Sequence, residues 1–353
     1  MQKEKLTNNM DELIVVTKYF GYNFTGATLS THELIKEWSK YFKNITIVTR
    51  NIGRYDIDNI NIIKCKNNIH VVKVLKQLKV EKGNPVVYSD DHTGFTIKLA
   101  GLDYYHTYHA NWPECRWVDL EHFVKSFGFI PMYKLTVSNA KSVIAVSHYS
   151  KQFLKKYNYN INTIRNGIGR NKLKIEINKS KINSKKFNIL MVGSIDKRKY
   201  LLAQKLFSNL LDLKDKINID IYGNILDESL ANKLSEYEFV NIRGFNDSIE
   251  FELYDLYIST SKIENLSIAI CEALRANIPV ITFDIGGISE VINNGENGFL
   301  VKRFSIYDMK KLIEMIIFNS YRFNFSTNKL EEFNWEYSSK RYLKEFKIRR
   351  ILK

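Results

Sequence analysis

The feature that most constrains this chain is a rhythm. Short β-branched and apolar runs alternate with helical stretches from one end to the other. Leu13-Ile14-Val15-Val16 reads as a strand, followed by a loop from Phe20 to Gly26 and an amphipathic segment, Ser30 to Phe42. Ile45 to Thr49, Pro85 to Tyr88, Tyr104 to His109 and Ser142 to Val146 read as further strands. Strands that alternate with helices imply βαβ units, and so a parallel sheet covered by helices on both faces. Arg170 to Lys186 then interrupts the pattern with seven Lys or Arg residues and reads as a linker. Beyond it the rhythm restarts with Phe187 to Gly193, Ile217 to Tyr222, Leu256 to Ser259 and Pro279 to Thr282. The fold class expected is therefore α/β with two doubly wound domains, 1–173 and 174–334. A basic, aromatic helix over 335–353 crosses back to the first. Two such sheets place a ligand cleft at their carboxyl ends.

Composition narrows the class. With 353 residues, 44% of them apolar, the chain can bury two cores, and disorder, collagen-like repeats and coiled coil are excluded. No internal repeat of 20–50 residues is visible, which excludes a solenoid. No run of about 18 apolar residues exists, and the first residues, MQKEKLTNNMDE, lack an apolar stretch of the signal-peptide kind. A soluble, cytoplasmic protein is expected, peripheral at most at the inner face of a membrane. Cys65, Cys115 and Cys271 stand far apart, without the spacing of a disulfide framework or a zinc site. The net charge of +15 is unevenly spread: residues 1–173 hold 25 Lys+Arg against 14 Asp+Glu, and residues 174–353 hold 28 against 24. An excess of +11 in one half suits either an anionic partner there or a merely solubilising surface. Nucleic acid is the weakest anionic reading, because no aromatic box, zinc finger or helix-turn-helix signature accompanies the charge. An anionic membrane surface would be met by Ser30 to Phe42, where Lys36, Lys40 and the adjoining Lys43 interleave with Trp38, Tyr41 and Phe42; the alternative for this segment is an ordinary core-packing helix with Leu34, Ile35 and Trp38 buried.

The richest stretch for chemistry is Ser261-Lys-Ile-Glu264-Asn-Leu-Ser267-Ile268-Ala-Ile-Cys-Glu272. It follows a strand and opens a helix. Glu264 sits at the turn, and Glu272 lies eight residues on, about 80° from a whole number of turns. The amides of Ser267 and Ile268 are then free N–H groups at a helix start, where phosphate binds. Carboxylates beside a phosphate site suit the hydroxyls of a sugar nucleotide.

At this point the sequence resembles a family. Glu264 and Glu272 in this spacing, followed by Glu272-Ala-Leu and then Pro279-Val-Ile, look like the retaining glycosyltransferases of the GT-B fold, family 4. Lys98 to His109 (KLAGLDYYHTYH), Val143-Ile-Ala-Val-Ser147, Ile164-Arg-Asn166-Gly167-Ile168, Gly286-Gly287 and Asn297-Gly298 fall in the family's order. The likeness covers about 85 to 325. It implies two Rossmann-like domains facing a central cleft. It implies catalytic roles for His109 and Glu264, the latter holding a hydroxyl of the donor sugar. Donor contacts are implied for Ser194, Arg198, Lys199, Asn166, Ser267, Ile268, Glu272 (the nucleotide ribose), Gly286 and Gly287. Gly26 and His92 fall on the acceptor side. There is one departure: Ser194 stands where the family usually has an Arg, with Lys199 in the lysine position. Lys197 or Arg198 could swing in to supply the missing cation.

The function expected from this resemblance is retaining transfer of a hexosyl group from a UDP- or GDP-sugar to a glycan or lipid-linked acceptor. The setting expected is synthesis of a bacterial surface polysaccharide or glycoconjugate. The nucleotide-sugar is a substrate, so no cofactor is called for. Asp56-Ile-Asp58 lies in a polar loop with no apolar strand directly before it, so no metal is implied either. The rival from another class, motivated by Ser194, is a non-catalytic GT-B subunit that stabilises an active partner. A nicotinamide enzyme is disfavoured because no GxGxxG opens either sheet.

Overall fold

The computed structural model describes residues 12–347 apart from 23, 84, 110–113, 170–185, 247, 320, 326–329 and 331. The expected linker therefore lies almost wholly outside the described residues. Two compact units are present, and each holds one parallel sheet.

The first unit takes in Met1–Pro113, Lys125–Gly167 and Glu332–Lys353. Its strands are β1 (Glu12–Phe20), β2 (Asn44–Ile52), β3 (Ile60–Lys64), β4 (Val86–Asp90), β5 (Tyr105–Tyr108), β6 (Ser142–Ala145) and β7 (Ile161–Thr163). They lie in the order β3-β2-β1-β4-β5-β6-β7, every pair parallel. Leu13 to Val16 are buried, as a strand covered on both faces requires. The order reverses between β1 and β4, and such a switch point opens a crevice beyond the strand ends.

Helix α1 (Gly26–Trp38) starts on a capping box in which Thr25 and Thr28 satisfy each other's backbone amides. Its apolar residues do not face solvent. Leu34, Ile35, Trp38 and Phe42 are buried, and Trp38 makes edge contacts with Tyr88, Tyr342 and Phe346, ring centroids 5.0, 5.5 and 5.3 Å apart. Lys36 pairs with Asp56 and Lys40 with Glu37. For Ser30 to Phe42 the core-packing alternative is therefore the one observed, in place of the membrane contact: its apolar stripe belongs to the core, and Lys36 and Lys40 are paired while Lys43 is exposed. Tyr342 and Phe346 come from much later in the chain, on and just after the helix Trp335–Glu345, which is capped by Asn334. Beside it, the Ser338 hydroxyl donates to the Arg165 carbonyl and Thr107 bonds the Tyr342 hydroxyl.

The second unit takes in Glu114–Val124 and Ile168–Glu331. This corrects the expected boundary at 173. Residues 114–124 pack with the later unit because Lys262 Nζ donates to the Val118 carbonyl at 2.9 Å and Lys197 Nζ lies 3.8 Å from Asp119. The strands are β8 (Phe187–Val192), β9 (Ile217–Tyr222), β10 (Val240–Gly244), β11 (Leu256–Ser259), β12 (Val280–Phe283) and β13 (Gly298–Val301), in the order β10-β9-β8-β11-β12-β13 and all parallel. Here the reversal falls between β8 and β11. No helix among the described residues is long and apolar enough to cross a membrane.

Candidate functional site

In the second unit the switch point collects most of the residues singled out above. β8 runs into Gly193 and Ser194, and helix α2 (Lys197–Asn209) begins three residues later, capped by Asp196. Gly193 has φ +152, and a Cβ there would stand 2.6 Å from Lys199 Cδ. Only glycine lets the Lys199 side chain lie back along the turn. From there Lys199 Nζ reaches Glu264 Oε1 at 3.2 Å, and the Ser261 hydroxyl donates to the same oxygen at 3.0 Å. The Glu264 loop is also tied from below: the Thr260 hydroxyl donates to the Lys199 carbonyl, and the Lys262 amide to the Arg198 carbonyl.

The Gly286-Gly287 turn closes over this loop. Gly286 has φ +58, and a Cβ there would fall 1.7 Å from the Glu264 carbonyl oxygen. The Gly287 amide donates to the Asn265 carbonyl at 2.7 Å. Ser267 caps helix α3 (Ile268–Arg275), its side chain accepting from the Ile270 amide. The first amides of that helix have no intrahelical acceptor and carry the positive end of its dipole. Glu272, half-buried on the same helix, has its carboxyl pushed up to about 7 by burial; the Gly169 amide and Arg275 partly offset this. Such a carboxyl is poised to gain hydrogen-bond donors from a ligand's hydroxyls.

The cationic set is thin, as the sequence suggested. Arg198 does not turn toward Ser194. Its guanidinium is held by Asp196, with Nη2 to Oδ2 at 2.6 Å and Nε to Oδ2 at 3.2 Å. Lys197 leans toward Asp119. Lys199 is the cation that meets Glu264.

The remaining predicted residues fall in the first unit. Asn166 is buried and accepts from the Ser30 hydroxyl at 2.8 Å, so its side chain ties α1 to the segment after β7. Gly26 is the exposed first residue of α1. His92 has its Nδ1 3.1 Å from Asp91 and packs edge-on against Phe129 and Tyr133. His109 follows β5, one strand beyond the switch point, its Nε2 3.8 Å from Asp90 Oδ1; burial lowers its pKa to about 4, so the ring is neutral at pH 7. His106 is fully buried, with Nδ1 3.1 Å from Ser89 Oγ, and is a core residue.

Asp90 was missed by the sequence reading. It ends β4 inside the first unit and accepts from the Thr31 hydroxyl at 2.5 Å and from Thr17 at 3.5 Å. Burial, with the neighbouring charge of Asp91, raises its pKa to about 7. A perturbed carboxyl beside a histidine at a strand end is a functional-site pattern. Its one sequence signal was the Asp90-Asp91-His92 run closing an apolar strand.

Residues 174–331 match the family model described as Glycosyl transferases group 1. The poly(glycerol-phosphate) alpha-glucosyltransferase of Bacillus subtilis is 28% identical over 144 residues, covering 38% of this chain and 21% of that protein. The chain spans between 20% and 60% of the length of the curated relatives it matches. Among solved structures, Anabaena HepE in complex with UDP and glucose superposes with a TM-score of 0.77 at 16% identity, over 96% of this chain and 100% of its own. Sucrose-phosphate synthase from Thermosynechococcus elongatus gives 0.80 at 16% identity, over 96% and 98%. Likeness at that identity shows the fold, which is GT-B.

Proposed function

We propose, from the premise that residues 174–331 form a glycosyl transferases group 1 domain, that the chain is a retaining, metal-independent glycosyltransferase. It moves a hexosyl group from a UDP- or GDP-sugar to a glycan or lipid-linked acceptor in the making of a surface polysaccharide or glycoconjugate. One observation carries the reading. At the second sheet's switch point, Gly193, Lys199, Glu264 and Gly286 interlock around the start of a Ser267-capped helix.

Each group then has a task. The amides at that helix start and Lys199 stabilise the departing diphosphate, whose charge grows as the bond to the anomeric carbon breaks. Glu272 accepts from the ribose hydroxyls, and Glu264 from a sugar hydroxyl. His109, neutral at pH 7, positions the sugar. The acceptor oxygen bonds the anomeric carbon on the face the phosphate leaves, and its proton passes to the departing phosphate oxygen. The chain contributes positioning and electrostatics rather than a covalent carboxylate.

Nucleotide release from a panel of sugar nucleotides, with and without acceptors, tests the reading. Glu264→Gln and His109→Ala should each cut turnover about a hundredfold or more while nucleotide affinity changes little. Near wild-type turnover in either variant would make that residue structural. A non-catalytic subunit, favoured by Ser194 and by an Arg198 engaged with Asp196, predicts binding without nucleotide release from any donor.

A further inference from the structure

The first unit carries a group of cations that the reading above leaves unused. At the carboxyl ends of β1 and β2, Lys18 and Arg50 line an open recess with Thr17, Asn68, His92 and Thr96. The strand ends that carry them are fixed in place. Asn51 Nδ2 donates to the Lys18 carbonyl at 3.2 Å, and the Gly53 amide to the Phe20 carbonyl at 2.7 Å. Neither cation is in an ion pair with a carboxylate of the described residues. Lys18 Nζ rests over the Tyr19 ring, 4.9 Å from its centroid. Arg50 reaches Asn68 Oδ1 through Nη1 at 3.5 Å, and its Nε is buried with no acceptor among the described residues.

Asp91 is the acid whose field reaches Lys18. Its carboxylate is already engaged by the Tyr133 hydroxyl at 2.5 Å and by the His92 ring at 3.1 Å. Asp90, reached through Thr17, has its carboxyl raised to about 7 and is only partly ionised at neutral pH, so two cations against one occupied and one half-neutral carboxyl leave the recess positive. It also adjoins the switch point between β1 and β4, where α/β sheets take ligands. A buried guanidinium N–H without an acceptor is costly, and an anionic oxygen supplies one. The interior offers only a water-sized volume, about 10 Å³. One oxygen of an anion therefore enters, while the rest of the group stays at the mouth beside Lys18.

We infer that this recess binds a phosphate-class anion through Arg50 and Lys18. In the transferase it holds the anionic group of the acceptor; this last assignment rests on the proposed function, whereas the anion site itself does not.

The probe is inorganic phosphate, titrated against chloride at equal ionic strength, with UDP held saturating to occupy any phosphate site of the second unit. The readout is the thermal midpoint of the full chain. Saturable stabilisation by phosphate is expected for the wild type, weakened about tenfold in apparent affinity by Arg50→Ala and by Lys18→Ala. Lys43→Ala, an exposed lysine elsewhere, should titrate like the wild type. Should Arg50→Ala not fold, Lys18→Ala carries the same expectation from a side chain outside the core. Phosphate acting no differently from chloride, or Lys18→Ala and Arg50→Ala titrating like the wild type, overturns the inference. Because no sugar transfer enters this readout, the transferase reading can fail while the site stands, and the reverse. With an acceptor in hand, Lys18→Ala should raise its KM and leave kcat nearly unchanged. An unchanged KM would remove the acceptor from the recess.

Discussion

Replacing Glu272 by Gln should make the protein more stable at pH 8 and worse at holding nucleotide. The carboxyl's ordinary value of 4.5 is moved to about 7, chiefly by burial. The sign follows directly. Between those two values the unfolded chain has released this proton and the folded one retains it, so stability falls as pH rises through the window. The full difference corresponds to ~3 kcal/mol, an upper bound because part of the side chain reaches water. Glutamine has the same shape, can still accept from the Gly169 amide, and never ionises. The Gly169 bond to the ionised carboxylate is already part of that shift, so Glu272→Gln should gain up to ~3 kcal/mol at pH 8. That is a rise of at most roughly 6–12 °C in the midpoint of a unit this size. At pH 4.5 the two proteins should melt together. Asp90, His106 and His109 also titrate between about 3 and about 7, but they do so in both proteins, so the difference isolates residue 272. Calorimetry with UDP should show the opposite ordering, with affinity lowered roughly ten- to a hundredfold by loss of a charged acceptor. A variant no more stable at pH 8 than at pH 4.5, relative to wild type, would refute the claim that burial governs this carboxyl. Unchanged UDP affinity would refute the ribose assignment.

Other substitutions test the interlock. Gly286→Ala places a Cβ 1.7 Å from the Glu264 carbonyl oxygen at a φ of +58; the loops must separate, and a loss of ~2–4 kcal/mol is expected in thermal or urea unfolding. Lys199→Ala should lower turnover on the donor about a hundredfold, since it removes the cation that meets Glu264. Arg198→Ala, whose guanidinium is engaged by Asp196, should cost less than about fivefold; if the two losses are reversed, Arg198 and not Lys199 is the leaving-group cation.

The sequence made the central strands legible because their runs are nearly all apolar, as in Leu13 to Val16 and Ile189 to Val192. It hid β3, whose Ile60–Lys64 is only partly buried at the sheet edge, and the short β7. Neither has enough apolar contrast to stand out from a loop. Glu264, Glu272 and the Gly286-Gly287 turn were readable because they sit close together in one stretch of chain. Asp90 was not, because what distinguishes it is burial, and burial comes from Thr31 and Thr17 on other elements. The same limit left Ser30 to Phe42 open between a core face and a membrane face. Periodicity reveals that a helix has an apolar face, and here the residues that cover it, Tyr342 and Phe346, stand some 300 positions away.

That distance has a consequence for how the protein is made. Most of the first unit is made before the second, yet Trp38 and Tyr88, which touch each other, meet Tyr342 and Phe346 only once residues 335–346 have been translated. At about 5–20 residues per second, the interval is on the order of tens of seconds. Through it the nascent sheet leaves two large aromatic side chains without their later partners. The second unit draws only on Glu114–Val124 and Ile168–Glu331, and so can complete itself sooner. The part of the chain that emerges earliest is therefore the last to close, and that interval is when a chaperone or a protease would find it.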